Sequence, residues 1–299
     1  MSIAITTPTG HIGSALVRDL LGRGHTHLRL LLRDASKLDA DVRDAVETRE
    51  GALQDAAYVR EATDGADALF WLSPPGWTEA GLVEWYDTMG RNAAAAVQAN
   101  GIGHVVHLSS EGAQDRENFG PVSGLGRIEE ALDAVAGETG AAVRHLRPTF
   151  FFENFEGQPI AQTGQVFFPA PTTRTTGMIA TADIAAVAAD LLADRSWAGT
   201  DVVPLYGPRD LSYDEAAAIL SESLGRDVTA TQVPPDAVRE QFRGMGAPDD
   251  WVEGFVALYT AIGADGYRES PRDAASTTPT PLGEWARRSL KPLLETRAA

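Results

Sequence analysis

The sequence predicts an α/β protein, a doubly wound parallel sheet with a smaller, mainly helical C-terminal lobe. Two observations carry this prediction. Short apolar runs alternate with helical stretches through the first half of the 299-residue chain, at the spacing of successive βαβ units. The first of those units joins strand to helix through a glycine-containing turn, in the stretch Ser2 to Gly24, SIAITTPTGHIGSALVRDLLGRG.

In that first unit Ile3-Ala4-Ile5 is a short apolar strand and Thr6 to Gly10 a turn of small residues. A helical pattern follows, with Ile12, Leu16, Leu20 and Leu21 on one side, stopped by Gly22 and Gly24. A helix start presents free N–H groups and the positive end of the helix dipole, so a pyrophosphate can rest there. Gly10 lets the backbone approach phosphates, and Gly13 lets the helix pack closely. Thr7 stands where the first glycine of a dinucleotide fingerprint is expected, so a plain βα turn is the alternative. The candidate cofactor contacts of this loop are Thr7, Thr9, Gly10, His11 and Ile12.

A strand over 28–33 ends at Arg33-Asp34, and a helix over 56–64 shows Tyr58, Val59 and Ala62 on one face. Residues 68–72 form a buried strand closed by Ser73-Pro74-Pro75-Gly76, followed by a helix over about 79–99. The strand at 103–108 ends in Ser109-Ser110-Glu111, and a helix over about 125–137 precedes a strand at 142–146. Parallel sheets bind ligands at the carboxyl ends of their strands. Those ends carry Thr7 to Gly10, Arg33, Ser73-Pro74, Ser109-Ser110 and Pro148 to Phe152.

Beyond residue 155 the texture changes. Residues 156–177 are rich in Pro, Gly and Thr, with one short strand at 165–168. A helix at 181–194 and a strand at 202–206 are expected to return to the sheet. The dinucleotide-binding domain is therefore assigned to 1–155 with 178–207, and the lobe to 156–177 and 208–299. The lobe opens with the capping-box spacing Ser212 to Glu215 and holds further helices at 235–246 and 248–263.

Composition excludes several functions. The chain has no cysteine, which removes disulfides, thiolate nucleophiles and cysteine metal sites. A net charge of −17 argues against a direct nucleic-acid surface. No run approaches eighteen apolar residues and no basic leader is visible, so no membrane contact and a cytoplasmic location are expected. His104 and His107 are three apart on a strand and face opposite ways; no cluster has metal-ligand spacing, so no metal is expected. The expected partner is a small-molecule substrate, the expected state a monomer or homodimer. The adjacent carboxylates Glu129-Glu130 read as solvated helix surface.

With these pieces assembled, the sequence resembles the NmrA-like family of atypical short-chain dehydrogenase/reductases. The carriers are Ile5 to Gly13, Leu32-Arg33-Asp34-Ala35-Ser36-Lys37-Leu38, Leu72 to Pro75, His107 to Ser110, Leu146 to Phe155, Ala182-Asp183-Ile184-Ala185, and Leu211 to Ala217 with Leu224-Gly225-Arg226. The resemblance implies a Rossmann-like fold that binds NADP(H) or NAD(H). Some family members reduce quinones or other small electrophiles, and others sense redox state and bind regulators without catalysis. It further implies ribose and adenine contacts at Ser73-Pro74 and at Ala52-Leu53. Ala52 stands where the family often has an aspartate, which removes one acceptor there.

Arg33 stands 23 residues after Gly10, at the end of the second strand, and can pair with a 2′-phosphate, with Lys37 one helical turn further on. NADP(H) is therefore preferred and NAD(H) possible. Asp34 is either the N-cap of the next helix or a ribose acceptor that tilts the choice towards NAD.

The usual carbonyl-reducing members of this superfamily need a tyrosine acid with a lysine four residues later. Here no Tyr-x-x-x-Lys exists, and the only lysines are Lys37 and Lys291. Some family members carry Gly-Lys-Gly where this chain has Gly124-Leu125-Gly126. A general acid contributes roughly 10²–10⁴-fold to proton-coupled steps, so an acceptor that forms a delocalised or neutral product is favoured: a quinone, enone or imine. Candidate proton donors are Ser109 and Ser110, whose alternative is hydrogen bonding at a strand end. Arg127 is a candidate for stabilising negative charge, its alternative being a surface pair with Glu129 or Glu130. Trp77, Phe151, Phe152, Asn154 and Phe155 are assigned to the substrate pocket, although consecutive strand residues face opposite ways. The second functional reading is a non-catalytic NADP(H)-binding redox sensor that binds a protein partner.

Overall fold

The computed structural model describes residues 2–76, 81–266 and 270–298. The first half alternates as the apolar pattern demands: β1 (Ile3–Thr6), α1 (His11–Gly22), β2 (Leu28–Leu32), α2 (Ala40–Ala45), β3 (Glu47–Glu50), α3 (Ala56–Ala62), β4 (Ala68–Trp71), α4 (Leu82–Asn100), β5 (His104–Leu108), α5 (Pro121–Thr139) and β6 (Ala142–Pro148). After it come β7 (Phe150–Phe151), α6 (Ile160–Thr163), β8 (Gln165–Phe168), β9 (Thr175–Ile179), α7 (Thr181–Ala193) and β10 (Thr200–Leu205). The last part holds β11 (Asp210–Ser212), α8 (Tyr213–Leu224), β12 (Thr229–Gln232), α9 (Pro235–Gly244), α10 (Asp249–Asp265), α11 (Leu282–Trp285) and α12 (Lys291–Ala298).

Seven strands form one parallel sheet in the order β10-β6-β5-β4-β1-β2-β3. The chain runs outwards from β1 to β3, then crosses back to β4, so the order reverses between β1 and β4. Such a switch point opens a crevice at the carboxyl ends of the two strands.

Strand residues alternate between the two faces. One set, including Ile5, Phe70, Val106 and Leu146, packs on Leu16 and Leu20 of α1 and Ile184 and Ala188 of α7. The opposite set, including Leu69, Trp71, Val105 and Val143, packs under α4 and α5 with Met89, Val97 and Leu132. The remaining small strands pair as β11-β9-β7 and β12-β8 and carry the lobe. Ser212 caps α8 with the reciprocal capping box, and Gly225 ends it in the left-handed region at φ 70°.

Two differences from the sequence reading have local causes. Helix α5 starts at Pro121, four residues early, because proline at a first helical position costs no hydrogen bond and Gly120 turns the chain at φ 51°. Strand β3, Glu-Thr-Arg-Glu, has no apolar signal because it is the exposed edge of the sheet. Helix α4 is described from Leu82; the expected start at 79 lies outside the described residues. Among the described residues no helix is long and apolar enough to cross a membrane, and no group of three potential metal ligands occurs.

Candidate functional site: the crevice at the β1–β4 switch point

Thr6 ends β1 and closes the switch point. Its hydroxyl donates to the Leu72 carbonyl at 3.0 Å and accepts from the Leu72 N–H at 2.8 Å. Thr7 follows at φ 50°, in the left-handed region that usually calls for glycine. Gly13 is required by close approach: a Cβ there would lie 2.2 Å from the Thr7 carbonyl oxygen. At Gly10 the nearest protein atom to an added Cβ is 3.8 Å away, so the protein leaves that space open. Gly10 caps α1 without any side-chain acceptor, which leaves the first helical N–H groups to a ligand.

The crevice is a cavity of about 420 Å³. Of the expected cofactor residues it brings together Thr7, Thr9, Gly10, Arg33, Leu53 and Pro74. It also takes in Gln54 and Trp85, which the sequence did not single out. Trp85 reaches it from α4 and donates its indole N–H to the Pro74 carbonyl at 2.9 Å. Asn92, also on α4, donates to the Leu53 carbonyl at 2.7 Å and fixes that wall. No motif marks Trp85, because its reach depends on how α4 crosses the sheet.

Other expected residues fall elsewhere. Ile12 is buried in the core. His11 is exposed and faces Glu156 at 3.4 Å, beside a separate surface hollow. Lys37 lines a hollow with Ser14 and Arg18, not this crevice. Asp34 is committed as a cap: its carboxylate accepts from the Ser36 hydroxyl at 2.6 Å and the Ser36 N–H at 3.0 Å, which holds it below the usual carboxylate range. Ser73 is buried beside the crevice wall. The hydroxyls of Ser73 and Thr7 are both buried with no partner among the described residues. Unpaired buried hydroxyls flanking an uncapped helix start fit a polar ligand.

The layer between β5, β6 and α5 is built differently. Ser109 donates its proton to Glu129 at 2.6 Å. Glu129 is 1% exposed and gripped by Arg147 at 2.6 and 2.9 Å, with Arg116 at 3.1 Å. Burial alone would raise its carboxyl, but Arg147 and Ser109 overcome this and hold it at about 2. The expectation that Glu129 is solvated surface is corrected: it faces the sheet with Ile128 and Leu132, and Glu130 points away. Ser110 donates to the Glu111 carbonyl at 3.0 Å. Arg127 pairs with neither Glu129 nor Glu130; its fork is filled by Asp87 of α4 at 2.6 and 3.0 Å.

Glu111 is buried beside Tyr206, which donates to it at 3.2 Å, and burial pushes its carboxyl up. His107 and His145 face each other across β5 and β6, Nδ1 to Nδ1 at 3.0 Å, and His145 Nε2 lies 3.0 Å from Asp133. Burial, with His145 beside it, pushes His107 down to about 3.

The expected aromatic pocket is mostly core. Phe152 and Phe155 are buried against Trp285, at ring distances of 5.6 and 6.4 Å, so they line no open wall. Phe151 is half-buried and Asn154 exposed. Trp77 lies outside the described residues.

Comparison with known proteins shows the family and the fold. An NAD(P)H-binding family model matches residues 8–195. The NAD(P)H azoreductase of Xenophilus azovorans is 28% identical over 265 residues, covering 88% of each chain. Triphenylmethane reductase of Citrobacter sp., crystallised with NADP(H), superposes with a TM-score of 0.79 over 96% of this chain and 100% of its own at 22% identity, a likeness of fold. A mutant NmrA shares the fold at a TM-score of 0.74, 17% identical and covering 100% of this chain and 98% of its own.

Proposed function

We propose that this chain, a member of the NAD(P)H-binding family, is of the NmrA-like atypical short-chain dehydrogenase/reductase type and acts as an NADPH-dependent reductase of small conjugated electrophiles. The pyrophosphate rests on the α1 start at Gly10. The adenosine end fills the crevice between Arg33, Leu53 and Pro74. Arg33 meets the 2′-phosphate, while Asp34 uses Oδ1 to cap the following turn through Ser36. The bound cofactor supplies hydride. The chain's own residues orient it, exclude water from the strand ends and hold the Ser109–Glu129 pair nearby.

The observation that carries the reading is the state of the Ser109 hydroxyl at the end of β5. Ser109 gives its proton to a carboxylate held at about 2, and no Tyr-x-x-x-Lys stands in for it. A simple ketone, whose alkoxide needs immediate protonation, is therefore disfavoured. An azo, quinone or iminium acceptor, whose product spreads or cancels the charge, is favoured. The azoreductase relative, similar over nearly its whole length, supports the same acceptor class. The test is NADPH oxidation against quinones, azo dyes and cationic dyes beside aliphatic ketones. Turnover confined to the conjugated acceptors is expected; equal turnover of simple ketones overturns the assignment.

The committed proton of Ser109 also favours a second reading, a redox sensor that binds NADP(H) without turnover. Tight NADPH binding with no oxidation by any acceptor would select it.

A further inference from the structure

A row of polar side chains crosses the sheet beneath α5, one residue pair below Ser109. Trp71 of β4 and His107 of β5 are register partners, and His107 and His145 of β6 are register partners in turn. All three point to the α4–α5 face, and Asp133 of α5 closes the row at His145. Three buried polar atoms at its other end have no partner among the described residues: Trp71 Nε1, His107 Nε2 and Ser73 Oγ, the last two residues beyond Trp71 on the same strand line. An orphan buried polar group costs roughly 1–3 kcal/mol. Three together, of complementary kind, match the number of partners a buried water takes.

The hydrogen bonds dictate the tautomers. The Asp133 carboxylate accepts, so His145 Nε2 carries hydrogen. The facing Nδ1 atoms share one proton, 3.0 Å apart. With His145 neutral, that proton belongs to His107, and His107 Nε2 is left as a bare acceptor. Trp71 Nε1 is an obligate donor. One water accepting from Trp71, donating to His107 and bonding Ser73 satisfies all three, the usual number for a buried water.

We propose that His107, His145 and Asp133 form a proton store serving the crevice, reached through a water held by Trp71 Nε1, Ser73 Oγ and His107 Nε2. When the water gives a proton to His107 Nε2, the Nδ1 proton passes to His145 Nδ1. The positive charge then rests on His145 beside Asp133, which is half exposed. The same shift in reverse returns the proton. Charge on His107 itself is disfavoured by burial, so passing it to His145, equally buried but bonded to the Asp133 carboxylate, is what makes storage workable. The remaining charges facing the row are Glu129 of α5 and Arg147 of β6, which neutralise each other. Ser73 precedes Pro74, which lines the crevice.

The proposal rests on the reductase reading for its use. Hydride from NADPH gives a neutral acceptor two electrons and one hydrogen. The delocalised anion so formed persists long enough to take one proton from the store through the water, whereas an alkoxide needs its acid in contact as it forms, and solvent reloads the store by way of the crevice water. The positioning residues are His145 and Asp133; His107 exchanges the proton.

Two measurements test this. Long-range proton–nitrogen NMR on the wild-type protein at neutral pH is expected to show His107 with hydrogen on Nδ1 and a bare Nε2. The opposite tautomer overturns the store. Steady-state kinetics with a quinone acceptor are expected to show kcat falling about 10²-fold in His107→Gln and less in Asp133→Asn. KM for NADPH should not move, and the exposed control Glu138→Gln on the same helix should match wild type. Unchanged kcat and pH profile in both variants overturns the proposal even if the tautomer is as expected. If no acceptor is turned over, the reductase reading fails. The tautomer, together with its reversal in Asp133→Asn or its persistence, still decides whether the store exists.

Discussion

The two faces of the central sheet are made by alternate residues of the same strands, yet they differ in kind. The face under α1 and α7 is apolar at its centre, and dry in that sense: Ile5, Phe70, Val106 and Leu146 cluster with Leu16, Leu20, Ile184 and Ala188. The face under α4 and α5 begins as apolar, with Leu69, Val105 and Val143, then turns polar towards the carboxyl ends through His107, Ser109, His145 and Arg147. The dry face holds the sheet together. The other accepts buried charge and unpaired hydroxyls, which add nothing to stability that well-packed apolar residues would not supply. The cost is concentrated at the sheet edge where a ligand would bind.

The comparison can be broken most severely at Arg147. Arg147→Met leaves Glu129 buried without its main partner and is expected to lower stability by about 3–5 kcal/mol. Adding Glu129→Leu should recover most of that loss in urea unfolding; a double variant no better than the single one would show that the pair supplies more than mutual neutralisation. On the dry face Leu16→Ala is expected to cost about 3 kcal/mol through its cavity, by the same amount at pH 5 and pH 7.

The polar face, unlike the dry one, should make stability depend on pH. His107 is held near 3 when folded, below its unfolded value of about 6.5, so the unfolded chain binds the extra proton. Its stabilising contribution is complete above pH 6.5 and lost as pH falls towards 3, at about 2 kcal/mol between pH 6.5 and 5. Glu129 adds a second loss, from its unfolded value of about 4.3 down towards 2. Urea midpoints in His107→Gln should lose the first slope and keep the second; a slope unchanged by that substitution contradicts the assignment.

The smallest effect belongs to the crevice itself. Arg33→Ala is expected to weaken NADPH about 10–100-fold, the loss of a charge-assisted contact, and NADH by less than about twofold. Titration calorimetry with both cofactors separates the cases, and equal weakening would remove Arg33 from the 2′-phosphate.

The dry face was legible from the chain because its period is local: Ile12, Leu16 and Leu20 announce their side of α1 without any partner. The glycine loop was legible too, since Gly10 and Gly13 answer to a turn and a close approach within a few residues. The polar face was not. Glu129 shares the buried stripe of α5 with Ile128 and Leu132, but adjacency to Glu130 suggested surface, and its partner Arg147 lies on another element. His107 and His145 meet only through strand register. Phe152 and Phe155 follow a strand end and look like crevice residues until Trp285, more than a hundred residues later, covers them.

The central claim is hydride transfer from bound NADPH to a conjugated acceptor. Its most direct test is turnover with NADPH deuterated at the nicotinamide C4, on each face separately, with the reduced product analysed by mass spectrometry. An iminium or cationic dye is the suitable acceptor, because hydride reaches its carbon and does not exchange with water. The account predicts deuterium in the product from one of the two labelled cofactors. Tight NADPH binding with no labelled product from either would contradict it and leave the crevice as the reading head of a sensor.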